Sequence, residues 1–242
     1  MRPNHKRKHK RNSKNVPLII LAALLLACNL SRLRPGSSKS SSNDNNRGSA
    51  AQTSDSQSGA FDPSSDARQN LKNAYIKLKA AYPYRLTETT TFSSGNQATT
   101  PPTVRVSEFA AADRIHTTLN GEELGITFGD KHYMHANGKW VEAGQQPKRT
   151  AADMEKLVAS SLKDVQPVGQ ETVNGVPCFA YTTRFEFNVS NQPSTTIGKV
   201  WIGLGDGRPH QWDGDWKVAN YDTKSHIVYE YNVDIKVERP AP

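Results

Sequence analysis

One run of apolar residues recurs at helical spacing and predicts an amphipathic helix near residue 70. Its members follow one another at intervals of three, one, three and four residues, which places them on one face of a helix. They are Leu71, Ala74, Tyr75, Leu78 and Tyr82. We expect the helix to begin at Asp62-Pro63-Ser64, where Asp62 is a suitable N-cap, and to end before Pro83. The apolar face predicts that this helix covers another layer of the structure.

A period of two residues dominates the rest of the chain and predicts antiparallel strands. Asn137-Gly138 and Asn174-Gly175 each separate two strand-like runs, and Asn-Gly is the strongest short signal for a hairpin. The last run alternates most regularly and is predicted to be a single strand. The predicted strands are 84–92, 104–109, 114–119, 123–128, 131–136, 139–142, 165–173, 176–187, 199–204, 212–218 and 227–237.

A second helical pattern lies between the two groups of strands. Thr150 is a suitable N-cap for residues 151–162, whose apolar face consists of Met154, Leu157, Val158, Ser161 and Leu162. The order of elements is therefore a helix, about five strands, a second helix and about five more strands. We predict an α+β fold in which about ten antiparallel strands form a curved sheet, an incomplete β-barrel, with two or three helices covering its concave side.

The amino terminus has the pattern of a bacterial export signal. Seven Lys and Arg residues and no acidic residue precede an apolar run at 16–27. This run has twelve residues, whereas a helix needs about 20 to cross a bilayer, so we interpret 1–27 as a signal peptide. It ends in Leu-Leu-Ala-Cys, which resembles the lipobox of bacterial lipoproteins and implies that Cys28 receives a diacylglyceryl group. The alternatives are an ordinary signal peptide and an uncleaved membrane anchor.

The signal is followed by a predicted tether, residues 28–62, and a folded domain, residues 63–242. The tether is rich in Ser, Asn and Gly, so it cannot bury enough apolar surface to offset the entropy of ordering it. A lipidated Cys28 would hold the exported domain on a bacterial membrane. We expect the outer membrane facing the periplasm in a Gram-negative cell and the cell surface otherwise.

The net charge of +8 suggests a nucleic-acid partner, but its distribution along the chain excludes one. Seven of the 31 basic residues lie before Val16, and their removal with the signal peptide leaves 24 basic and 23 acidic residues. The mature protein is therefore close to neutral. We expect no binding to nucleic acid.

The polar motifs of the domain do not form the pattern of a catalytic or metal site. The glycine run at 203–207 lies between strands, where a turn is expected. Asp213 and Asp215 lack further acidic residues at calcium-loop spacing, which favours a polar hairpin. His132 and His135 fall on opposite faces of one strand. We therefore predict no catalytic residue, no metal and no cofactor, and an exported hydrolase would require polar groups from separate strands to converge.

The two cysteines of the chain are Cys28 and Cys178. If Cys28 carries a lipid, Cys178 has no disulfide partner. Cys178 lies within an apolar strand-like run, and we expect its side chain to be buried and unreactive.

The motifs of the domain also carry a resemblance to a known family. They lie at 75–92, 131–134, 137–141, 168–178, 199–203 and 207–209. Together they make 67–240 similar to the half-barrel family of periplasmic lipoprotein carriers and acceptors, LolA and LolB, and to lipid-binding lipoproteins of the LppX and LprG type. The lipobox agrees better with the acceptor and the lipid-binding lipoproteins, since the soluble carrier has no anchor.

This resemblance implies an apolar groove that binds a lipid or an acyl chain. We expect a monomer whose partners are a membrane, reached through Cys28, and such a ligand. The predicted lining consists of Leu86, Val106, Ile115, Phe128, Phe179, Tyr181, Tyr229 and Tyr231. Alternatively, these side chains only pack against the helices, and the protein is an envelope scaffold or interaction lipoprotein with a filled core.

Overall fold

A computed structural model describes residues 61–94, 97–98, 101–145, 156, 158–189, 192–218 and 221–241. All of them belong to one compact unit of the chain, Asp55–Pro242. The predicted signal peptide, Cys28, the tether up to residue 60 and most of the second predicted helix lie outside the described residues. No helix within the described ranges is both long enough and apolar enough to cross a membrane.

Helix α1 spans Ala67–Ala80 and buries four of the five residues of the predicted apolar stripe. The fifth, Tyr82, lies beyond the end of the helix and is partly buried against the core. Its N-cap is Asp66, whose side chain accepts a hydrogen bond of 2.8 Å from the Gln69 backbone N–H. The prediction that Asp62 caps the helix is wrong, because the Asp62 carboxylate accepts from the Ser64 N–H and closes the preceding turn. Residues 158–161 are also helical.

The strands form one antiparallel sheet in the order β7-β6-β5-β4-β3-β1-β12-β11-β10-β9-β8, and β2 pairs with β1 beside this path. Within the described ranges, β7 and β8 are therefore the two edges. The predicted fold class, α+β with a curved antiparallel sheet that forms an incomplete barrel, is confirmed. The strands are β1 Tyr84–Ser94, β2 Gln97–Ala98, β3 Thr103–Ala111, β4 Arg114–Leu119, β5 Glu122–Phe128, β6 Lys131–Ala136, β7 Lys139–Gln145, β8 Leu162–Val173, β9 Val176–Val189, β10 Gln192–Gly203, β11 Pro209–Val218 and β12 Tyr221–Tyr231.

Three strand predictions need correction. The last strand ends at Tyr231 rather than at residue 237, because Asn232 has a φ of 59° and the left-handed conformation breaks the extended backbone. β10 begins at Gln192, seven residues before the predicted start at 199. The Asp213-Gly214-Asp215 segment lies within β11 and not in a hairpin, because it pairs with β10 on one side and β12 on the other.

Alternation divides the side chains of the sheet between two faces. We call the face on which α1 packs the inner face, and the opposite one the outer face. In β1 the inner face carries Tyr84, Leu86, Glu88 and Thr90, which form an apolar end and a polar end along one strand. The main core lies between α1 and the apolar end. Burial of this apolar surface supplies the main driving force for folding.

Candidate functional site

Helix α1 covers the apolar end of the inner face. Its buried side chains join those of six central strands in one cluster, which also contains Val158 and Leu162. The Tyr84 and Phe109 rings stack with centroids 4.5 Å apart, and Asn70 of α1 donates a hydrogen bond of 3.0 Å to the Tyr181 hydroxyl. The remaining cluster members on the sheet are Leu86, Phe185, Val200, Ile202, Trp212, Ile227 and Tyr229.

A set of apolar inner-face side chains packs against this cluster but stays partly exposed. We call it the apolar rim; its members are Ile115, Val165, Phe179, Phe187 and Tyr231. Phe179 contacts Tyr181 of the core with ring centroids 5.1 Å apart. The Arg208 guanidinium lies 4.0 Å from the centroid of the Tyr231 ring. The apolar rim therefore offers partly exposed apolar surface beside the core, as far as the described residues show.

The inner face also carries ten buried polar side chains, eight of them toward its other end and two, Ser107 and Thr127, in the rows of Leu86 and Tyr84. We call the ten the polar band. Within it, the Thr90 and Ser225 hydroxyls are 3.3 Å apart, and the Thr183 hydroxyl donates a hydrogen bond of 3.3 Å to the Gly198 carbonyl. The band consists of Glu88, Thr90, Arg105, Ser107, Thr127, Thr183, Ser194, Thr196, Thr223 and Ser225.

Two glycines beside the polar band make room for a tryptophan. Gly198 and Gly214 face each other across β10 and β11. The Trp212 indole lies over both, and a Cβ at Gly198 would come within 2.7 Å of its ring. Trp212 is 4% exposed, and Trp216, the second inner-face position beyond it on β11, is 5% exposed. The Trp212 indole thus packs over two glycines at the border of the apolar cluster, and the Trp216 ring centroid lies 6.3 Å from that of Phe187.

An ion pair marks the boundary between the apolar end and the polar band. Glu88 of β1 lies directly opposite Arg105 of β3, and the Arg105 Nη2 donates to the Glu88 Oε2. Among the described residues, four buried side-chain atoms lack a hydrogen-bond partner, and all four belong to this face. They are Glu88 Oε1, Arg105 Nε, Trp212 Nε1 and Trp216 Nε1. Such atoms are rare in folded proteins, and each one requires a physical explanation.

The outer face carries a second, more exposed group of charges. Arg85 donates to Glu108 at 2.8 Å and to Glu230 at 3.4 Å, and His116 lies 2.5 Å from Glu123. Burial opposes a charge on His116, but its contacts with Glu123 and Glu108 outweigh this effect and raise its pKa. A concavity of about 430 Å³ lies at this group; its lining consists of Arg85, Thr87, Val106, Glu108, His116, Thr118 and Glu230. Within the described residues, no group of three or more His, Cys, Asp or Glu could hold a metal ion.

Six of the eight predicted lining residues lie on the inner face. Leu86, Tyr181 and Tyr229 are in the buried cluster, and Ile115, Phe179 and Tyr231 are in the apolar rim. The other two lie on the outer face, where Val106 lines the concavity and Phe128 stacks under the Arg114 guanidinium. Each of the two is out of phase with the inward positions of its own strand, so we leave both out of the candidate lining.

The polar part of the inner face was not predicted from the sequence. Glu88 shares the phase of Tyr84 and Leu86, and Arg105 shares the phase of Phe109. A charged side chain at an inward position is a signal that strand alternation could have revealed.

Cys178 is the free, fully buried thiol that the sequence predicts. It lies on the outer face in a small cluster with Val173, Ala180 and Trp201. Burial raises its pKa to about 11, which keeps the thiol protonated and unreactive. Glu171 accepts a hydrogen bond of 2.6 Å from the Trp201 indole beside it.

No known family model and no curated protein matches the sequence. Comparison with solved structures finds similarity to LprF from Mycobacterium bovis, with 11% identity and a TM-score of 0.43 over 76% of this chain and 100% of that one. The lipoprotein LppX from Mycobacterium tuberculosis has 12% identity and a TM-score of 0.39, over 71% and 98%. A LolA superfamily protein from Nitrosomonas europaea has 7% identity and a TM-score of 0.35, over 70% and 94%.

Proposed function

We propose that this protein is a membrane-anchored, non-enzymatic lipoprotein that binds a lipid or an acyl chain against the inner face of its sheet. The observation that carries the proposal is the apolar rim. Its aromatic and aliphatic side chains stay partly exposed beside the main core, where a hydrocarbon chain can cover them.

Transfer of hydrocarbon from water supplies the binding free energy in this mechanism. Each buried methylene contributes about 0.8 kcal/mol, so an acyl chain of ordinary length needs few directional contacts. Phe179 and Phe187 stand on the inner face of β9 on either side of Tyr181 and Phe185. They offer the flat apolar surface that such a chain would contact.

A hydrocarbon probe tests this function directly. We expect the purified full chain to bind a pyrene-labelled alkane, and Phe187→Glu to weaken that binding at least tenfold because it places a charge in the apolar rim. Ile197→Glu is the matched control, since Ile197 lies on the outer face of the neighbouring strand and is 58% exposed. Fluorescence titration in one non-ionic detergent, corrected with a protein-free sample, measures both variants. A wild-type protein that takes up no probe would refute the proposal.

The anchor is proposed to be a diacylglyceryl group on Cys28, which places the domain next to its ligand source. We expect Cys28→Ser to abolish the added lipid mass and the cleavage that precedes it. Intact-mass measurement of protein from a bacterial expression host checks both. Cys178→Ser is the control, because that thiol is buried in the folded domain. A chain that is cleaved and modified without Cys28 would contradict the anchor.

The second candidate is an interaction module of the envelope. The outer face supports it, because Arg85, Glu108 and Glu230 form a charged network at a concavity. Such a protein would bind no hydrocarbon probe. It would instead lose a protein partner on Glu108→Lys and keep it on Phe187→Glu, which is the opposite pattern from that of a lipid binder.

A further inference from the structure

We propose that the C-terminal segment of the domain is a strap that locks one part of the sheet onto the rest and lets that part detach when the strap is released. We call residues 232–241 the strap, and strands β4–β7 the wing. The effect of release on a bound hydrocarbon rests on the proposed lipid-binding function, whereas the effect on the wing does not.

The strap crosses the outer face of the sheet from β12 to β6. It starts after Tyr231, where Asn232 ends the last strand with its φ of 59°. At its other end the Arg239 Nε donates a hydrogen bond of 3.2 Å to the Tyr133 hydroxyl. Tyr133 pairs with Ile126, which in turn pairs with His116 of the outer face. The strap therefore connects the last strand to a strand of the wing.

The strap has almost no slack. β12 and β6 are separated by β1, β3, β4 and β5, so five strand spacings of about 4.8 Å place them roughly 24 Å apart. Eight residues lead from Tyr231 to Arg239, and a fully extended chain of that length spans at most about 26–29 Å. The strap must therefore stay extended in order to reach Tyr133.

Side chains hold the strap on the outer face. Its described residues are neither helical nor in a strand, but the alternation that predicted a longer last strand continues through them. Val237 is 7% exposed, and Tyr133 and Ile126 of the wing are 7% and 9% exposed. The more buried positions of the strap are Val233, Ile235 and Val237, and the exposed ones between and beyond them are Asp234, Lys236 and Glu238.

The wing has few stabilising contacts of its own. Its strands have six or seven residues, whereas β8–β12 have ten to fourteen. The β3–β4, β4–β5 and β6–β7 ladders each contain a register shift. Within the part of the chain that the structure describes, no buried member of the main core comes from the wing, and Ile115 is its one partly buried contact with that core. Short ladders with little buried apolar surface open locally at a low free energy.

The length of the strap turns it into a lock. Separation of two neighbouring strands between β12 and β6 lengthens the path that the strap must follow, and its slack of about 2–5 Å does not allow this. Detachment of the wing therefore requires Val237 and Arg239 to leave their places first. The inner face of the wing carries Ile115 of the apolar rim together with His132 and Met134. Release of the strap would thus remove one side of the proposed lipid site from the face opposite to it.

Hydrogen exchange of the full chain without any ligand tests the strap directly. Val237→Asp places a charge at a buried position of the strap, and we expect the amides of β5 and β6 to exchange at least about tenfold faster than in the wild type. Lys236→Asp is the matched control, because it places the same carboxylate at the neighbouring exposed position. The amides of β9 and β10 should exchange at the same rate in all three proteins.

Two milder variants decide the question if Val237→Asp does not fold. Tyr133→Phe and Arg239→Ala each remove the hydrogen bond between the strap and the wing. Each should speed exchange in β5 and β6 about two- to tenfold. Because both remove the same bond, the double variant should exchange no faster than the faster of the two single variants.

The pyrene-labelled alkane measures the consequence for the proposed lipid site. We expect it to dissociate from Arg239→Ala about two- to tenfold faster than from the wild type, by the same factor as the change in exchange. Lys236→Asp should release the probe at the wild-type rate. Stopped-flow fluorescence after dilution measures all three proteins.

The outcomes separate this inference from the proposed function. Unchanged exchange in β5 and β6 for Val237→Asp and Arg239→Ala would overturn the inference. Equal acceleration in β9 and β10 would also overturn it, because the segment would then stabilise the domain as a whole. Faster exchange in the wing with unchanged probe dissociation would refute the effect on the ligand. A wild-type protein that binds no probe would refute the proposed function, and hydrogen exchange would still decide for or against the strap.

Discussion

Two Arg–Glu pairs join the same two strands, β1 and β3, from opposite faces of the sheet. Arg85 lies opposite Glu108 on the outer face, and Glu88 lies opposite Arg105 on the inner face. The outer side chains are 34% and 25% exposed, whereas the inner ones are 3% and 7% exposed. The chemistry is the same, and only the surroundings differ.

The difference in burial gives the two pairs different roles. The outer pair shares its charges with Glu230, His116 and solvent, and a pair of this kind contributes about 0–1 kcal/mol. The inner pair makes one contact and leaves Glu88 Oε1 and Arg105 Nε without partners. Desolvation of a buried pair can exceed its mutual attraction. The stability of the fold is therefore expected to depend strongly on the inner pair being complete and only weakly on the outer pair.

Removing one partner from each pair should separate these roles most strongly. Glu88→Ala leaves the Arg105 charge buried and uncompensated, and we expect it to lower the free energy of unfolding by about 3–5 kcal/mol. Glu108→Ala, its counterpart on the outer face, should lower it by less than about 1 kcal/mol. Urea denaturation of the full chain, followed by tryptophan fluorescence, measures both values.

The double variant Glu88→Met with Arg105→Met completes this comparison. Replacement of a buried ion pair by apolar side chains of similar volume is often neutral or stabilising. We expect the double variant to recover most of the stability that Glu88→Ala loses. Equal losses for Glu88→Ala and Glu108→Ala would show that the two faces do not differ in this way.

The apolar residues of one strand extend the comparison beyond charge. Ile202 and Ile197 both belong to β10, but Ile202 is fully buried on the inner face and Ile197 is 58% exposed on the outer face. We expect Ile202→Ala to lower the free energy of unfolding by about 2–5 kcal/mol. Ile197→Ala should change it by less than about 0.5 kcal/mol. A large effect at Ile197, measured by the same denaturation, would instead indicate that another molecule covers the outer face.

The elements that the sequence predicted correctly depend on local signals. The apolar stripe of α1 depends only on the intervals between apolar residues within one helix. The two Asn-Gly hairpins depend on single residues, and Asn137 and Asn174 indeed have positive φ angles of 52° and 49°, which Asn tolerates better than most residues do.

The features that the sequence did not predict depend on contacts between distant strands. Alternation shows which side chains share a face, but not which face a helix covers, and Val106 was therefore placed on the wrong side of β3. The Glu88–Arg105 pair joins residues 17 positions apart. The pair forms because the register of β1 against β3 places the two residues opposite each other. No short motif in either strand specifies that register.

The smallest expected difference between the two faces lies in two histidines. Burial on the inner face lowers the pKa of His132, while Glu123 and Glu108 on the outer face outweigh burial and raise that of His116. We expect NMR titration of the folded protein to find His116 above and His132 below the unfolded value of about 6.5. Glu123→Gln should lower the pKa of His116 and leave that of His132 unchanged.

The two histidines should also affect stability with opposite signs. The contribution of His116 is complete below about pH 6.5 and is lost as the pH rises through its raised pKa, because the folded state binds that proton more tightly. The contribution of His132 is complete above about pH 6.5 and is lost as the pH falls through its lowered pKa. The free energy of unfolding of His116→Gln should therefore fall less than that of the wild type as the pH rises above about 6.5. The free energy of unfolding of His132→Gln should fall less than that of the wild type as the pH drops below about 6.5. If both variants reduce the pH dependence of the free energy of unfolding on the same side of about pH 6.5, the surroundings of the two histidines do not differ in the way described.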